Sequence, residues 1–303
     1  MLTERELELF AESQVPDPAL DPALDQLSRR TLLTRIGAGA ASTLAASLGA
    51  ETADAAPKPE IIRSDVTFDS KHDDATANVK AFLASPKTNH KRGGVIVVHE
   101  IFGLTDHIKS VAARLAEAGY DAIAVDFFSN AGQLPDIKGD FKPLMEYVTK
   151  IPDAQIMQDA EGAMKYLRGL PHSNGKVGIV GFCWGGRVSM LFDADAPDLN
   201  AAVAYYGRIS GEKTANQPIY PIDVADKMTA PLLGAFGAED KGIPPSEVDK
   251  LRVALKMAHK TAELHEYEKA GHAFNNDTRE SYRADAAKLA WKRTLDWYKK
   301  YLS

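Results

Sequence analysis

From Ile61 onward, short apolar runs alternate with segments in which apolar residues recur every three or four positions. Apolar runs bounded by turn residues read as buried strands, and the amphipathic segments between them read as covering helices. The alternation predicts an α/β domain: a mostly parallel sheet with helices on both faces. Residues 61–68 and 78–84 read as an opening strand pair around a polar turn at 69–74. Residues 94–99, 121–126, 176–182, 201–206, 231–236 and 263–267 read as the strands that follow. Helices are expected over 105–118, where Gly119 stops the pattern, and over 153–170, where Ile156, Ala160, Ala163, Met164 and Leu167 share a face. Others are expected from Gly185, from a capping box made by Ser246 and Asp249 to about residue 259, and over 281–302, which carries Leu289, Trp291, Leu295, Trp297 and Tyr298.

The chain has 303 residues, 45% of them hydrophobic, ample for one large core and marginal for two. We therefore expect one catalytic domain over 57–303 behind an N-terminal appendage over 1–56. The net charge of -6, with Lys and Arg dispersed, gives no basic stripe for nucleic acid. The single cysteine excludes an intramolecular disulfide and a cysteine-based metal cluster. In the appendage, Ser28-Arg29-Arg30-Thr31-Leu32-Leu33 leads into a stretch of small or apolar residues from Ile36 to Ala50. That order resembles a twin-arginine export signal. The stretch is weakly hydrophobic and shorter than the roughly 20 residues that span a bilayer, so no permanent membrane anchor is expected. Ala53-Asp54-Ala55 offers a cleavage pattern, and Ala56-Pro57-Lys58-Pro59 an extended linker. The expectation is an exported protein, periplasmic or extracellular, whose precursor engages the twin-arginine machinery. The alternative is a plain extension on a cytoplasmic enzyme.

Candidate chemistry centres on Val177-Gly178-Ile179-Val180-Gly181-Phe182-Cys183-Trp184-Gly185-Gly186. A strand here turns abruptly into a helix through Gly-x-Cys-x-Gly-Gly, the pattern of a nucleophile elbow. Cys183 occupies the apex, at a helix N-terminus whose N–H groups and dipole favour a thiolate. Its alternative is an inert cysteine in a packing turn.

A thiol nucleophile needs a base, and the base needs a group that fixes its tautomer. Asp240 follows the strand at 231–236, and His272 follows the strand at 263–267, the order and placement that a hydrolase elbow requires. Glu239 is the neighbouring rival to Asp240. Of the other histidines, His259 and His265 read as surface or packing residues, His172 lies at the wrong end of its strand, and His99 and His107 lie near the site by topology. The loop His99-Glu100-Ile101-Phe102-Gly103 reaches the same sheet edge. The N–H of Ile101 and that of Trp184 are the expected oxyanion donors, with Glu100 an acid near the thiol.

At these residues the chain resembles the dienelactone hydrolase (carboxymethylenebutenolidase) family. The resemblance covers nearly all of 61–302 and rests on Glu100-Ile101-Phe102-Gly103, Asp126, Ser173-Asn174-Gly175-Lys176-Val177, Gly-Phe-Cys-Trp-Gly-Gly, Tyr205-Tyr206-Gly207, Asp240 and Gly271-His272-Ala273-Phe274. It implies an α/β-hydrolase fold and a Cys183–His272–Asp240 triad that hydrolyses esters or lactones through an acyl-enzyme, with no metal and no cofactor. It further implies that Glu100 holds the resting thiol and helps to ionise it. The substrate contacts expected are Phe102, Tyr205 and Asn276. Asn276 is a departure, since family members acting on the dienelactone carboxylate have an arginine there. Arg187 and Arg208 are read as ordinary surface arginines, the alternative being that they point into the pocket and compensate for the missing arginine. The competing functional readings are a non-catalytic ligand-binding or thiol-sensing protein on the same scaffold, and a cysteine peptidase.

Overall fold

A computed structural model of the chain describes residues 59–72, 75–136 and 140–303. The expected export signal and its cleavage point lie outside the described residues.

Eight strands form one sheet in the order β1-β2-β4-β3-β5-β6-β7-β8. The hairpin of β1 (Ile61–His72) and β2 (Ala75–Pro86) is paired from Ile61 opposite Pro86 to His72 opposite Ala75. Both strands extend beyond the apolar runs that announce them. They stand at the solvated end of the sheet, where ladder bonding continues through exposed polar side chains. His72 ties the hairpin tip to buried Asp159 at 2.6 Å. From β3 (Arg92–Val98) and β4 (Asp121–Val125) through β5 (Ser173–Phe182), β6 (Ala201–Tyr205), β7 (Leu232–Gly237) and β8 (Ala262–Tyr267), neighbouring strands are parallel. The chain winds outward in both directions from the β3/β5 pair, and ligands of such sheets bind in the crevice beyond the carboxyl ends at that switch point.

The α-helices of the described residues are α1 (Asp106–Glu117), α2 (Lys142–Thr149), α3 (Asp153–Arg168), α4 (Trp184–Asp195), α5 (Pro245–Met257) and α6 (Ala284–Leu302). Strand pleat assigns two of them to faces. A Cβ on Gly93 would strike Leu302 of α6, whereas one on the next residue, Gly94, would strike Leu167 of α3. α1 shares the α6 face, with the Arg114 guanidinium 4.4 Å from the Trp291 ring centre. β3, β4 and β6 are buried along nearly their whole length, consistent with a sheet covered on both sides.

Three sequence expectations are corrected. α2 was not foreseen, although Leu144 and Val148 are buried at helical spacing behind Pro143. Ser246 and Asp249 form no capping box, because the turn Pro244–Pro245 begins α5 by fixing φ and Asp249 instead pairs with Arg252. The C-terminal helix begins at Ala284, after an irregular segment that bends back to the site. Among the described residues no helix is long and apolar enough to cross a membrane.

Candidate active site

Four parallel strands deliver the chemistry to one edge. β3 leads into Glu100 and Ile101, β5 into Cys183, β7 into Asp240, and β8 into His272.

Cys183 sits at φ 57° and ψ -115° between β5 and α4. A side chain at such φ is strained, and the surroundings must hold it there. Two contacts do so: Cys183 N–H donates to the Tyr205 carbonyl at 3.0 Å, and the Cys183 carbonyl accepts from Gly186 N–H at 3.0 Å. The flanking glycines are obligatory for close approach. A Cβ at Gly181 would lie 1.9 Å from the Gly185 oxygen, and one at Gly185 would lie 2.5 Å from the Val98 oxygen.

His272 Nδ1 donates to Asp240 Oδ2 at 2.7 Å, while Asp240 Oδ1 accepts from the N–H groups of Gly242 at 2.9 Å and Ile243 at 3.2 Å. Burial pushes the Asp240 carboxyl up, but the His272 charge and these hydrogen bonds hold it below the ordinary carboxylate range. Burial pulls His272 down, yet the Asp240 charge, the Cys183 sulfur and hydrogen bonds to both raise it well above the usual histidine value. The structure thus gathers Cys183, His272 and Asp240 into one chain, with Nδ1 protonated toward the acid and the other ring nitrogen available to the sulfur side. Glu239 takes no part in that chain.

Glu100 is buried, with one oxygen accepting from Asn276 Nδ2 at 2.8 Å. Its carbonyl accepts from His99 Nδ1 at 2.6 Å, and the other His99 nitrogen accepts from Phe127 N–H at 3.2 Å. Burial pushes His99 down to about 4, so it is a neutral brace. Its ring stacks on Trp184 at 5.4 Å, joining the loop after β3 to the first turn of α4. Trp184 opens that helix, where the backbone N–H has no partner within the helix. His107 instead contacts Asp277 at 3.1 Å.

A cavity of about 810 Å³ opens over Cys183 and His272. α2 contributes Met145 and Val148 to its wall, the segment after β6 contributes Tyr206, Arg208 and Tyr220, and the loop after β7 contributes Ile243. The expected substrate contacts are revised accordingly. Tyr205 points into the core, its hydroxyl 2.8 Å from Thr294, and Tyr206 lines the cavity in its place. The reason is local: successive strand residues face opposite sides, and Tyr206 follows the last residue of β6 at the carboxyl edge of the sheet. Phe102 lies under the Arg279 guanidinium and against Phe141 rather than among the cavity-lining residues. Asn276 faces Glu100, not the cavity.

Arg187 is not a surface residue. It is 3% exposed and grips Asp153 with two bonds of 2.7 Å, while donating to the Ile219 carbonyl and lying over the Tyr220 ring. It therefore fastens α4 to the start of α3 and to the cavity wall. Replacing Arg187 with Ala strands the Asp153 charge and is expected to lower unfolding free energy by about 3–5 kcal/mol. Denaturant melts of Arg187→Ala, Asp153→Ala and the double variant check this, and the double variant should lose clearly less than the sum.

Among the described residues no group of three or more His, Cys, Asp or Glu side chains is placed to hold a metal ion. The profile of the Dienelactone hydrolase family matches residues 79–302. A Methylorubrum extorquens protein named "Putative carboxymethylenebutenolidase" is 37% identical over 276 residues, 91% of this chain and 94% of that protein. An Escherichia coli (strain K12) protein of the same name is 39% identical over 258 residues, 85% of this chain and 94% of its own. Among solved structures, that of a "Putative Dienelactone Hydrolase" from Klebsiella pneumoniae superposes with a TM-score of 0.73 at 40% identity, covering 80% of this chain and all of that one.

Proposed function

Because this chain belongs to the dienelactone hydrolase family, we propose that it hydrolyses carboxylic esters or lactones through an acyl-enzyme on Cys183. The observation that carries this reading is the ordered chain Asp240–His272–Cys183 at the floor of an open cavity, with the cysteine held at positive φ.

In the mechanism, His272 shares the thiol proton, so that sulfur and ring form a thiolate–imidazolium pair. The thiolate attacks the carbonyl carbon, and the carbonyl π electrons move to oxygen. The backbone N–H groups of Ile101 and Trp184 take up that charge. Collapse reforms the carbonyl and expels the alkoxide, which receives the proton from His272. Water then enters, His272 removes its proton, and hydroxide transfer to the acyl carbon releases the acid and restores the thiolate. Glu100, buried beside this group, holds the resting thiol by accepting its S–H, until the proton passes to His272. In a lactone both products are one molecule, and the alcohol stays tethered until hydrolysis.

An amide carbonyl is less electrophilic than that of an ester or lactone, and its nitrogen must be protonated before it can depart, which makes it the harder substrate for a thiolate. Esters and lactones are therefore the expected substrates and peptides are not. A panel of neutral and charged aryl esters, lactones and anilides tests this: turnover of the esters or lactones is expected. Turnover confined to anilides would replace the reading with that of a peptidase, and none at all with that of a binding or sensing protein.

We also propose that Arg29 and Arg30 direct export through the twin-arginine pathway. Changing both to Lys should retain the precursor in the cytoplasm, read by cell fractionation; unchanged export of the variant would contradict the proposal.

A further inference from the structure

Glu100 is among the most deeply placed acids of the described residues, at 2% exposure, and its partners determine how it can act. Asn276, also 2% exposed, donates from Nδ2 to Glu100 Oε2 at 2.8 Å. The direction of this amide is set from behind. Its oxygen accepts from Thr278 N–H at 3.1 Å and from Thr278 Oγ1 at 2.7 Å. A flipped amide would lose these bonds and set its oxygen against a carboxylate, so the Thr278 pair forces the N–H₂ toward Glu100. The second Glu100 oxygen, Oε1, is buried without a hydrogen-bond partner. The titratable groups coupled to this carboxylate are Tyr206 and Arg279, both of which also sense Cys183. Arg279 stacks on Phe102 and is not among the cavity-lining residues. Next along the chain, Asp277 is engaged with His107. Orientation of Glu100 is thus supplied by a neutral amide, and the balancing positive charge comes from outside the cavity.

The cavity is not a trap for anions. Arg187 is committed to Asp153, and Asp240 to His272. The other charged lining residues are Arg208 and Lys241 against Glu212, Glu239 and Glu247, and Arg208 acts on Glu247 itself. A substrate carboxylate in the cavity would meet more carboxylates than uncommitted cations.

We propose that Asn276 is a positioning residue that, held by Thr278, presets Glu100 for the Cys183 thiol, and that the substrate is a neutral ester or lactone. No substrate carboxylate is needed to organise the site. This rests on the reading of Cys183 as nucleophile.

Two measurements on the full mature chain test it. The first is the rate of Cys183 alkylation by iodoacetamide against pH, which needs no turnover. Asn276→Asp preserves shape but sets two carboxylates together, so they share a proton and add an ionisation between about pH 5 and 8 that the parent profile lacks. Thr278→Val releases the amide and should lower kcat/KM about fivefold with KM within about twofold, while Thr278→Ser keeps the parent values. The second compares p-nitrophenyl butyrate with mono-p-nitrophenyl succinate, a matched neutral and anionic pair. The parent enzyme should favour the butyrate by about tenfold or more in kcat/KM.

Preference for the succinate overturns the neutral-substrate assignment. An unchanged alkylation profile in Asn276→Asp, or equal kinetics in Thr278→Val, overturns the role of Asn276 while leaving the nucleophile intact. Hydrolysis of neither ester overturns the substrate assignment together with the ester-hydrolase reading, and the alkylation profiles still decide the positioning role.

Discussion

Replacing Cys183 with Ala is expected to lower ester or lactone turnover by at least about 10³-fold while leaving thermal unfolding close to that of the parent. Everything that forms the acyl bond passes through its sulfur, whereas the oxyanion donors and the cavity remain. The fold is insensitive to the change, because the elbow is held by backbone contacts of residue 183 and by its flanking glycines rather than by the sulfur. Alanine keeps a Cβ at the same positive φ, so the strain is unaltered. Steady-state kinetics on purified variants, with a melting curve beside each, measure both halves.

The second large effect belongs to Asp240→Asn. The amide preserves size but removes the charge that lifts His272 and can present N–H₂ to a ring nitrogen that now donates. A loss of about 10²–10⁴-fold in kcat is expected. The pH profile carries the sign. In the parent, His272 is raised well above its ordinary value, so the imidazolium persists as pH rises past the normal histidine range, and activity is lost only at higher pH. Without the Asp240 charge, burial dominates and favours the neutral ring. The alkaline limb of kcat/KM should therefore move to lower pH; a limb that stayed in place would assign that ionisation to another group.

Much of the architecture was legible before any coordinates. β3 carries the run Val95-Ile96-Val97-Val98 behind two glycines, β5 carries Val177, Ile179 and Val180 among glycines, and no helix pattern competes with them. The elbow was legible for a steric reason, since at Gly181 and Gly185 a Cβ would overlap backbone. The gathering of His272, Asp240 and Cys183 follows from strand order, because residues just past parallel strands share one edge.

What stayed hidden depends on side-chain direction and distant partners. The family resemblance pointed to Tyr205 as a substrate contact, but of the two adjacent tyrosines it is Tyr206 that lines the cavity, while Tyr205 bonds Thr294 in the core. Arg187 reads as a surface cation until Asp153, 34 positions away, is brought against it. Asn276 meets Glu100 across 176 positions, and no local pattern announces that contact. α2 is short, with only two buried residues, below what periodicity resolves against loop.

The most direct test of the account is the intact mass of the enzyme mixed with an activated ester and quenched within one turnover. The predicted result is a single added acyl group, mapped by peptide digestion to Cys183 and removed by hydroxylamine. Turnover of the same ester with Cys183 unmodified, or an acyl group found on another residue, would contradict it.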